Sequence, residues 1–533
     1  MTEVVEESEW DDTRFGREQT TGIILGLGGP QVAFLGVGAA IVLGLLIAMN
    51  APWSVLFALL TAGVFAGLGI PKRHGTPLIV HLWKEIIYIF RGSQDQLQYV
   101  QRTDAGTGAT VSLLAEEPSS PTLGLRTDNG HGQTEVDRDK KGRLVPGTPQ
   151  RFVLPGEAHE MLAYTLPGGS GMVFDPRHGE AMVTAKIRTT KGFDLESFNA
   201  QEERTGGWRE ALSALMRTEG VVRVQATDQT TLISSKSVKA WYERRSETPG
   251  AGADIDPFLD SSFKDLMDQA QDMPVHEKWL TIVVARGEVP HRIRANGGGL
   301  SGMMQLMLSV MATVESTLLR SGALVAGWHS PRSIAALSRS AFDPGSSVQI
   351  SERSGQWVGA APHSAGPMAM EVFKDRVSTD GFWHRTYKVS ELPQKQARFG
   401  FLDALVFAGD FRHTVSVFYT PGEPRKALKV LQNRKADHRA SSNMLKKLGK
   451  EPTLEHDRER EDIDDEEDQL VSGHAPVHLS VLITVTGADE LELEANCDRV
   501  LQRAVESSCE LRPLILEQDT AFLAASLPFA WAD

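Results

Sequence analysis

Residues 19–71 carry no charged side chain, a run of 53 positions. That run constrains the fold more than any other feature of the sequence. A single membrane-crossing helix uses only about 20 residues, and Asn50-Ala51-Pro52 is a turn signal in the middle of the run. The pattern therefore predicts a two-helix transmembrane hairpin over residues 31–70, with spans at 31–49 and 53–70. At about 1.5 Å per residue each span just crosses a hydrocarbon core of about 30 Å. A cleaved signal peptide fits less well, because it needs a basic start and one short apolar region, whereas this chain opens with Glu3, Glu6, Glu7 and Glu9. A buried helical hairpin in a soluble protein is the remaining alternative. Basic residues set orientation. Arg14 and Arg17 precede the first span, Lys72 and Arg73 follow the second, and the connection has none. The expectation is a multi-pass protein of the cell (inner) membrane with both termini cytoplasmic and membrane lipids as partners. Gly36, Ala40 and Gly44, and likewise Ala58, Ala62 and Ala66, recur every four residues, a spacing that lets helices approach closely.

Residues 1–30 read as a cytoplasmic segment and 71–102 as an amphipathic juxtamembrane helix. In the latter, Ile79, Leu82, Trp83, Ile86 and Phe90 share a face that excludes Lys84 and Arg91. Residues 103–150, rich in Gly, Ser, Thr, Pro and Asp, read as a linker. Beyond them, 151–345 and 382–533, joined by a connector at 346–381, show the same succession of elements: βαβ, a helical insert, then βαβα. The predicted fold class is α+β, with the hairpin followed by two ferredoxin-like (split βαβ) modules. The insert of the second module, 423–470, is lopsided. Its first half carries Arg425, Lys426, Lys429, Arg434, Lys435, Arg439, Lys446, Lys447 and Lys450, and residues 455–468 hold ten acids. The two halves are read either as a solvated helix followed by a disordered acidic run, or as an antiparallel arm of complementary charge.

Composition narrows the chemistry. The 533 residues are 41% apolar and carry a net charge of −14, which makes nucleic acid an unlikely general partner. Cys497 and Cys509, the two cysteines, cannot build a disulfide framework or a Cys-rich zinc site. No phosphate-cradling G-x-x-x-x-G-K-[ST] loop, G-x-S-x-G elbow or H-E-x-x-H helix occurs. Gly297, Gly299 and Gly302 spell G-x-G-x-x-G, but a charged segment with His291, Arg292 and Arg294 separates them from the preceding strand, and the dinucleotide fingerprint needs a strand leading directly into the glycines. Met303, Met304, Leu306, Met307, Met311, Val314 and Leu318 follow at helical spacing, which is read as core packing before an adaptable binding surface. Acidic pairs such as Asp194 and Glu196 have nothing to place them in a cleft. No catalytic residue, cofactor ligand or metal ligand is nominated.

Several short segments, in their order along the chain, resemble an actinobacterial family of membrane proteins encoded with type IV secretion or conjugation-like gene sets. They are Lys72-Arg73-His74-Gly75-Thr76 after the second span, Leu154-Pro155-Gly156, Phe174-Asp175-Pro176-Arg177-His178-Gly179 in a hairpin turn, and the stretch from Asp519 to Leu527-Pro528. The chain resembles a fusion of the small two-span inner-membrane subunit of such systems with the non-motor, amino-terminal region of their ATPase. The resemblance implies a non-enzymatic inner-membrane component that docks a separate ATPase and other apparatus subunits in an oligomeric complex. Two other readings stand beside it: a type VII secretion component with two spans, and a membrane-anchored nucleotide-binding enzyme resting on the 297–302 glycines.

Overall fold

The computed structural model describes residues 29–48, 53–73, 76–101, 125–126, 135–136, 138–139, 142–189, 197–233, 242, 256–269, 273–351, 353, 358–391, 400–422, 424–447, 460, 463–464, 467 and 477–531. Fourteen strands form one antiparallel sheet: β1 (Gln98–Val100), β2 (Gln150–Arg151), β3 (Leu162–Thr165), β4 (Gly171–Asp175), β5 (Glu180–Thr189), β6 (Val221–Ile233), β7 (Met273–Ala285), β8 (Ala323–Trp328), β9 (Ala369–Val372), β10 (Val377–Thr379), β11 (Phe382–Glu391), β12 (His413–Pro421), β13 (Val477–Gly487) and β14 (Glu510–Pro513). The helices used below are α1 (Gly29–Ala48), α2 (Trp53–Gly69), α3 (Leu78–Ser93), α4 (Phe198–Arg217), α5 (Pro257–Gln269), α6 (Gly299–Leu318), α7 (Pro331–Phe342), α8 (Pro424–Lys447), α9 (Glu490–Glu506) and α10 (Gln518–Ser526).

The strand order is β1-β9-β10-β11-β13-β12-β6-β7-β5-β4-β3-β2, with β8 added to β5 and β14 to β11. Two runs of four strands repeat one connectivity: β5–β8 lie in the order β8-β5-β7-β6, and β11–β14 in the order β14-β11-β13-β12. Each run is preceded by a hairpin, β3–β4 or β9–β10, that feeds its first strand. The halves join where β6 pairs with β12, and Thr227 opposite Ser416 is the centre of a local two-fold, with Gln225 facing Phe418 and Gln229 facing Thr414 on either side.

Alternation along the strands produces three layers. Leu280, Ile282 and Val284 of β7 pack under α4 and α6, while Val283 packs on the opposite face with α7 and the chain end. In the second half Val481, Ile483 and Val485 meet α9, and Leu482 meets α10. The methionine stripe of α6 is core: Met303, Met304, Met307 and Met311 are all buried against the first half of the sheet. Gly206-Gly207 looks like a helix start in sequence, but α4 runs through it from Phe198.

Two expectations are corrected. Among the described residues, no helix is long and apolar enough to cross a membrane, so the transmembrane hairpin, and with it the multi-pass inner-membrane placement and cytoplasmic termini, does not stand. As described, α1 runs over 20 residues, opening with Gly-Pro-Gln, and α2 over 17. The pair of separate ferredoxin-like modules is also replaced. Their strands belong to a single continuous sheet, extended beyond both runs by hairpins, and the body is not shown to be ferredoxin-like. The expected linker ends in structure: Leu144 is buried and its carbonyl accepts a hydrogen bond from Ser301 Oγ at 2.5 Å. The expected connector contains β9 and β10.

Candidate interaction surface

An apolar surface left uncovered among the described residues begins at α1 and α2. These helices pack on each other through a few contacts. Gln31 Nε2 donates to the Gly69 carbonyl at 2.6 Å, and the Phe34 and Phe65 rings lie 4.7 Å apart. A Cβ on Gly38 would come within 2.4 Å of the Phe65 ring, so glycine is needed for the helices to close. The small-residue stripes are divided: Ala58 is buried and Ala66 half-buried, but Ala40 and Ala62 are exposed and Gly36 and Gly44 look into open space. Lys72 and Arg73 form a two-residue strand with Thr76-Pro77. Arg14 and Arg17 lie outside the described residues. Around the hairpin Val37, Leu43, Ile47, Phe57, Leu59 and Leu60 are exposed.

Helix α3 continues that surface with its amphipathic faces reversed. A surface helix ordinarily turns its apolar stripe to the core. Here Trp83, Ile86, Ile89 and Phe90 point outward, Trp83 being 63% exposed, and the polar face is clamped to the body. Lys84 pairs with Glu517 and Arg91 with Asp519, both at 2.5 Å. Glu85 pairs with Lys374 at 2.6 Å, and Tyr88 Oη donates to the Val372 carbonyl at 3.2 Å. Asp519 lies in the first turn of α10, where the helix dipole already favours a carboxylate. Sequence periodicity placed Ile79, Leu82, Trp83, Ile86 and Phe90 on one face; Trp83, Ile86 and Phe90 are exposed and Ile79 and Leu82 half-buried. The anchoring acids on α10 were out of reach, being more than 400 residues away in the chain.

α10 is itself held by a row of buried polar groups on the sheet. Gln225 Nε2 donates to Ser416 Oγ and the Ala524 carbonyl, each at 3.2 Å, and its Oε1 accepts from Ala530 N at 2.8 Å. Gln518 fills the gap where β11 changes neighbour from β10 to β14: Oε1 accepts from Thr386 N at 2.8 Å and Nε2 donates to the Thr386 and Leu514 carbonyls. The anchor for α3 is therefore rigid.

Other titratable clusters serve the fold. Arg385 holds Glu494 at 2.7 Å and Asp375 at 2.8 Å, and the Arg385 guanidinium keeps the Glu494 carboxyl below the usual carboxylate range. Burial pushes the Cys497 thiol up, and Cys509 up to about 11, so both are protonated at neutral pH and poorly suited to nucleophilic chemistry. Burial drives His384 down to about 3; its ring nitrogens face Thr379 Oγ1 at 2.7 Å and Thr486 Oγ1 at 3.0 Å. No group of three or more metal-ligating side chains occurs among the described residues. The glycine loop has a packing explanation: Gly297, Gly298 and Gly299 all take positive φ, and a Cβ on Gly302 would lie 2.2 Å from the Ile293 carbonyl oxygen.

The charged insert folds back. Lys435 of α8 bonds Asp464 at 3.0 Å and also Glu467, while Leu431 and Ile463 are buried. Among the described residues, Lys435 of the basic half thus meets Asp464 and Glu467 of the acidic half. Comparison with known proteins finds no family whose model matches the chain and no curated protein similar to it.

Proposed function

We propose that the chain is a non-enzymatic docking subunit of a type IV secretion or conjugation-like apparatus, which holds a separate ATPase and neighbouring subunits. The observation that carries this reading is the reversed α3. A rigid two-fold body grips the polar face of a helix and presents its apolar face, continuous with α1–α2, outward. Isolated exposed apolar residues are ordinary, but a contiguous surface of this extent marks a place where something else binds. The recurring segments noted in the sequence supply the choice of apparatus.

The test is crosslinking in cells that express the full chain with an amino-terminal tag, followed by capture. A motor ATPase or apparatus subunit crosslinked to α3 is the expected result. The triple variant Trp83→Ser, Ile86→Ser, Phe90→Ser should lose that partner while its circular dichroism stays unchanged, because all three side chains are exposed. Recovery of the chain with no apparatus subunit, from cells in which the apparatus is assembled, overturns the proposal.

A further inference from the structure

Among the described residues, no apolar side chain of α1, α2 or α3 belongs to a buried apolar cluster of the body. Helix α5, which also exposes apolar residues, is seated by the buried Met267, whereas the buried residue of α3 is His81. The links from α3 to the body described above are polar: Lys84 to Glu517, Arg91 to Asp519, Glu85 to Lys374, and Tyr88 to the Val372 carbonyl. In each ion pair one partner is between 28% and 54% exposed, so dissolved ions reach all three. Ion pairs of that kind are weak singly and are screened by salt. The chain on either side of α3 suits a moving part. At its start Leu78 N donates to the Pro71 carbonyl at 2.8 Å and Lys72-Arg73 pairs with Thr76-Pro77, which ties α3 to the α1–α2 hairpin as one arm. At its end a tight turn at residues 94–96, with Asp95 at a φ of 54°, leads into β1. β1 is fixed to the sheet: it pairs with β9, and Leu97 and Tyr99 pack on Met370, Val372 and Val377. Hinges are a few loop or element-terminal residues that absorb a change in backbone angles, and 94–96 lies where one is needed.

We infer that α1–α3 form a charge-latched arm. While the three ion pairs hold, α3 presents its apolar face beside α10. When they are screened, the arm swings about residues 94–96 and carries that face away from the body. The latch thereby sets whether a subunit held on α3 is coupled to the sheet or only tethered to it, an inference that rests on the reading of α3 as a docking face and supplies its regulation. Apolar packing would not give this behaviour, because burial of apolar surface is not weakened by charge screening. Salt therefore separates an arm latched by charge from one packed onto the body.

Pulsed electron spin resonance on the full chain tests it. Spin labels are placed at Ile89→Cys on α3 and Gln502→Cys on α9, both exposed, the native cysteines being buried. Distances are read from about 0.01 M to about 1 M sodium chloride, over which the screening length falls from about 30 Å to about 3 Å. The expected result is one narrow distance at low salt and a second, broad population at high salt. Arg91→Glu, which sets two acids against each other at Asp519, should raise the released population about tenfold at low salt, the effect of about 1.4 kcal/mol on an equilibrium. Glu85→Lys should also release the arm, and adding Lys374→Glu to it should restore the narrow distance. Hydrogen exchange of β7 should stay unchanged in every variant, since the body does not open. One narrow distance at all salt concentrations and in Arg91→Glu, a charge swap that restores nothing, or β7 exchange that accelerates with release overturns the inference. Capture of an apparatus subunit is read separately. A latch that opens in a chain with no such partner leaves the docking reading to fail alone, and an arm that stays in place while a subunit is captured overturns the latch alone.

Discussion

The Gln518 side chain acts as a piece of backbone, and removing it should cost far more than an ordinary glutamine. At Thr386 the first strand of the second run is between neighbours: β10 pairs with it as far as His384, and β14 takes over from Tyr387. Gln518, fully buried, spans the interval by accepting from Thr386 N and donating to the Thr386 and Leu514 carbonyls. Gln518→Ala strands the Thr386 N–H in a buried site. Leu514 N still reaches the Thr386 carbonyl at 3.2 Å, so one donor is orphaned rather than two groups. A buried group without its partner costs about 1–3 kcal/mol, and the vacated side-chain volume adds about 1 kcal/mol more. The sum is about 2–4 kcal/mol. Urea denaturation of the full chain measures it, with the exposed Gln502→Ala as a control expected within about 0.5 kcal/mol of the parent. Hydrogen exchange of a peptide covering residues 382–391 should accelerate in Gln518→Ala alone. A loss below about 0.5 kcal/mol with unchanged exchange refutes the idea that this amide completes the sheet.

Gly302→Ala should destabilise by about 1–3 kcal/mol, because the new methyl meets the Ile293 carbonyl oxygen at 2.2 Å. Gly36→Ala, in open space on α1, should be neutral or slightly stabilising, and the difference in melting temperature reads both. His384 predicts an acid-side loss of stability. Its folded value of about 3 lies below the unfolded 6.5, so the neutral ring contributes fully above about pH 6.5 and its contribution falls as pH drops toward 3. At about 1.4 kcal/mol per unit, lowering pH from 7 to 5 removes about 2 kcal/mol. His384→Asn should lack that increment when urea midpoints are compared at the two pH values.

The strands were legible because β7 and β13 alternate or run apolar over a readable length, and Ser330-Pro331 announced α7 with a serine cap that accepts Ser333 N at 3.2 Å. The continuity of the sheet was not legible. Gln225, Thr227 and Gln229 of β6 have the polar pattern of a solvent-facing edge, yet they are buried and bond to Ser416, Thr414 and α10 across the seam. Burial of a polar strand face depends on partners nearly 200 residues away, which no local pattern encodes. The charge-free run at 19–71 had the composition of two membrane spans, but among its described residues no helix is long and apolar enough to cross a membrane. For the interaction surface, periodicity grouped the apolar residues of α3 on one face. What turns Trp83, Ile86 and Phe90 outward is tertiary: the ion pairs of Lys84 and Arg91 to Glu517 and Asp519.

The seam between the halves has a consequence for synthesis. Thr227 and Ser416 are 189 residues apart, so β6 leaves the ribosome long before β12 can lie beside it, a delay of roughly ten to forty seconds at about 5–20 residues per second. During that interval a thirteen-residue strand has one open flank, the template on which nascent chains mispair. Glutamine and threonine along that flank keep it wetted until β12 arrives. α10, which follows β12 and β13 in the chain, then closes over the row, so a chain stalled before β12 would lack both the second half of the sheet and its seal.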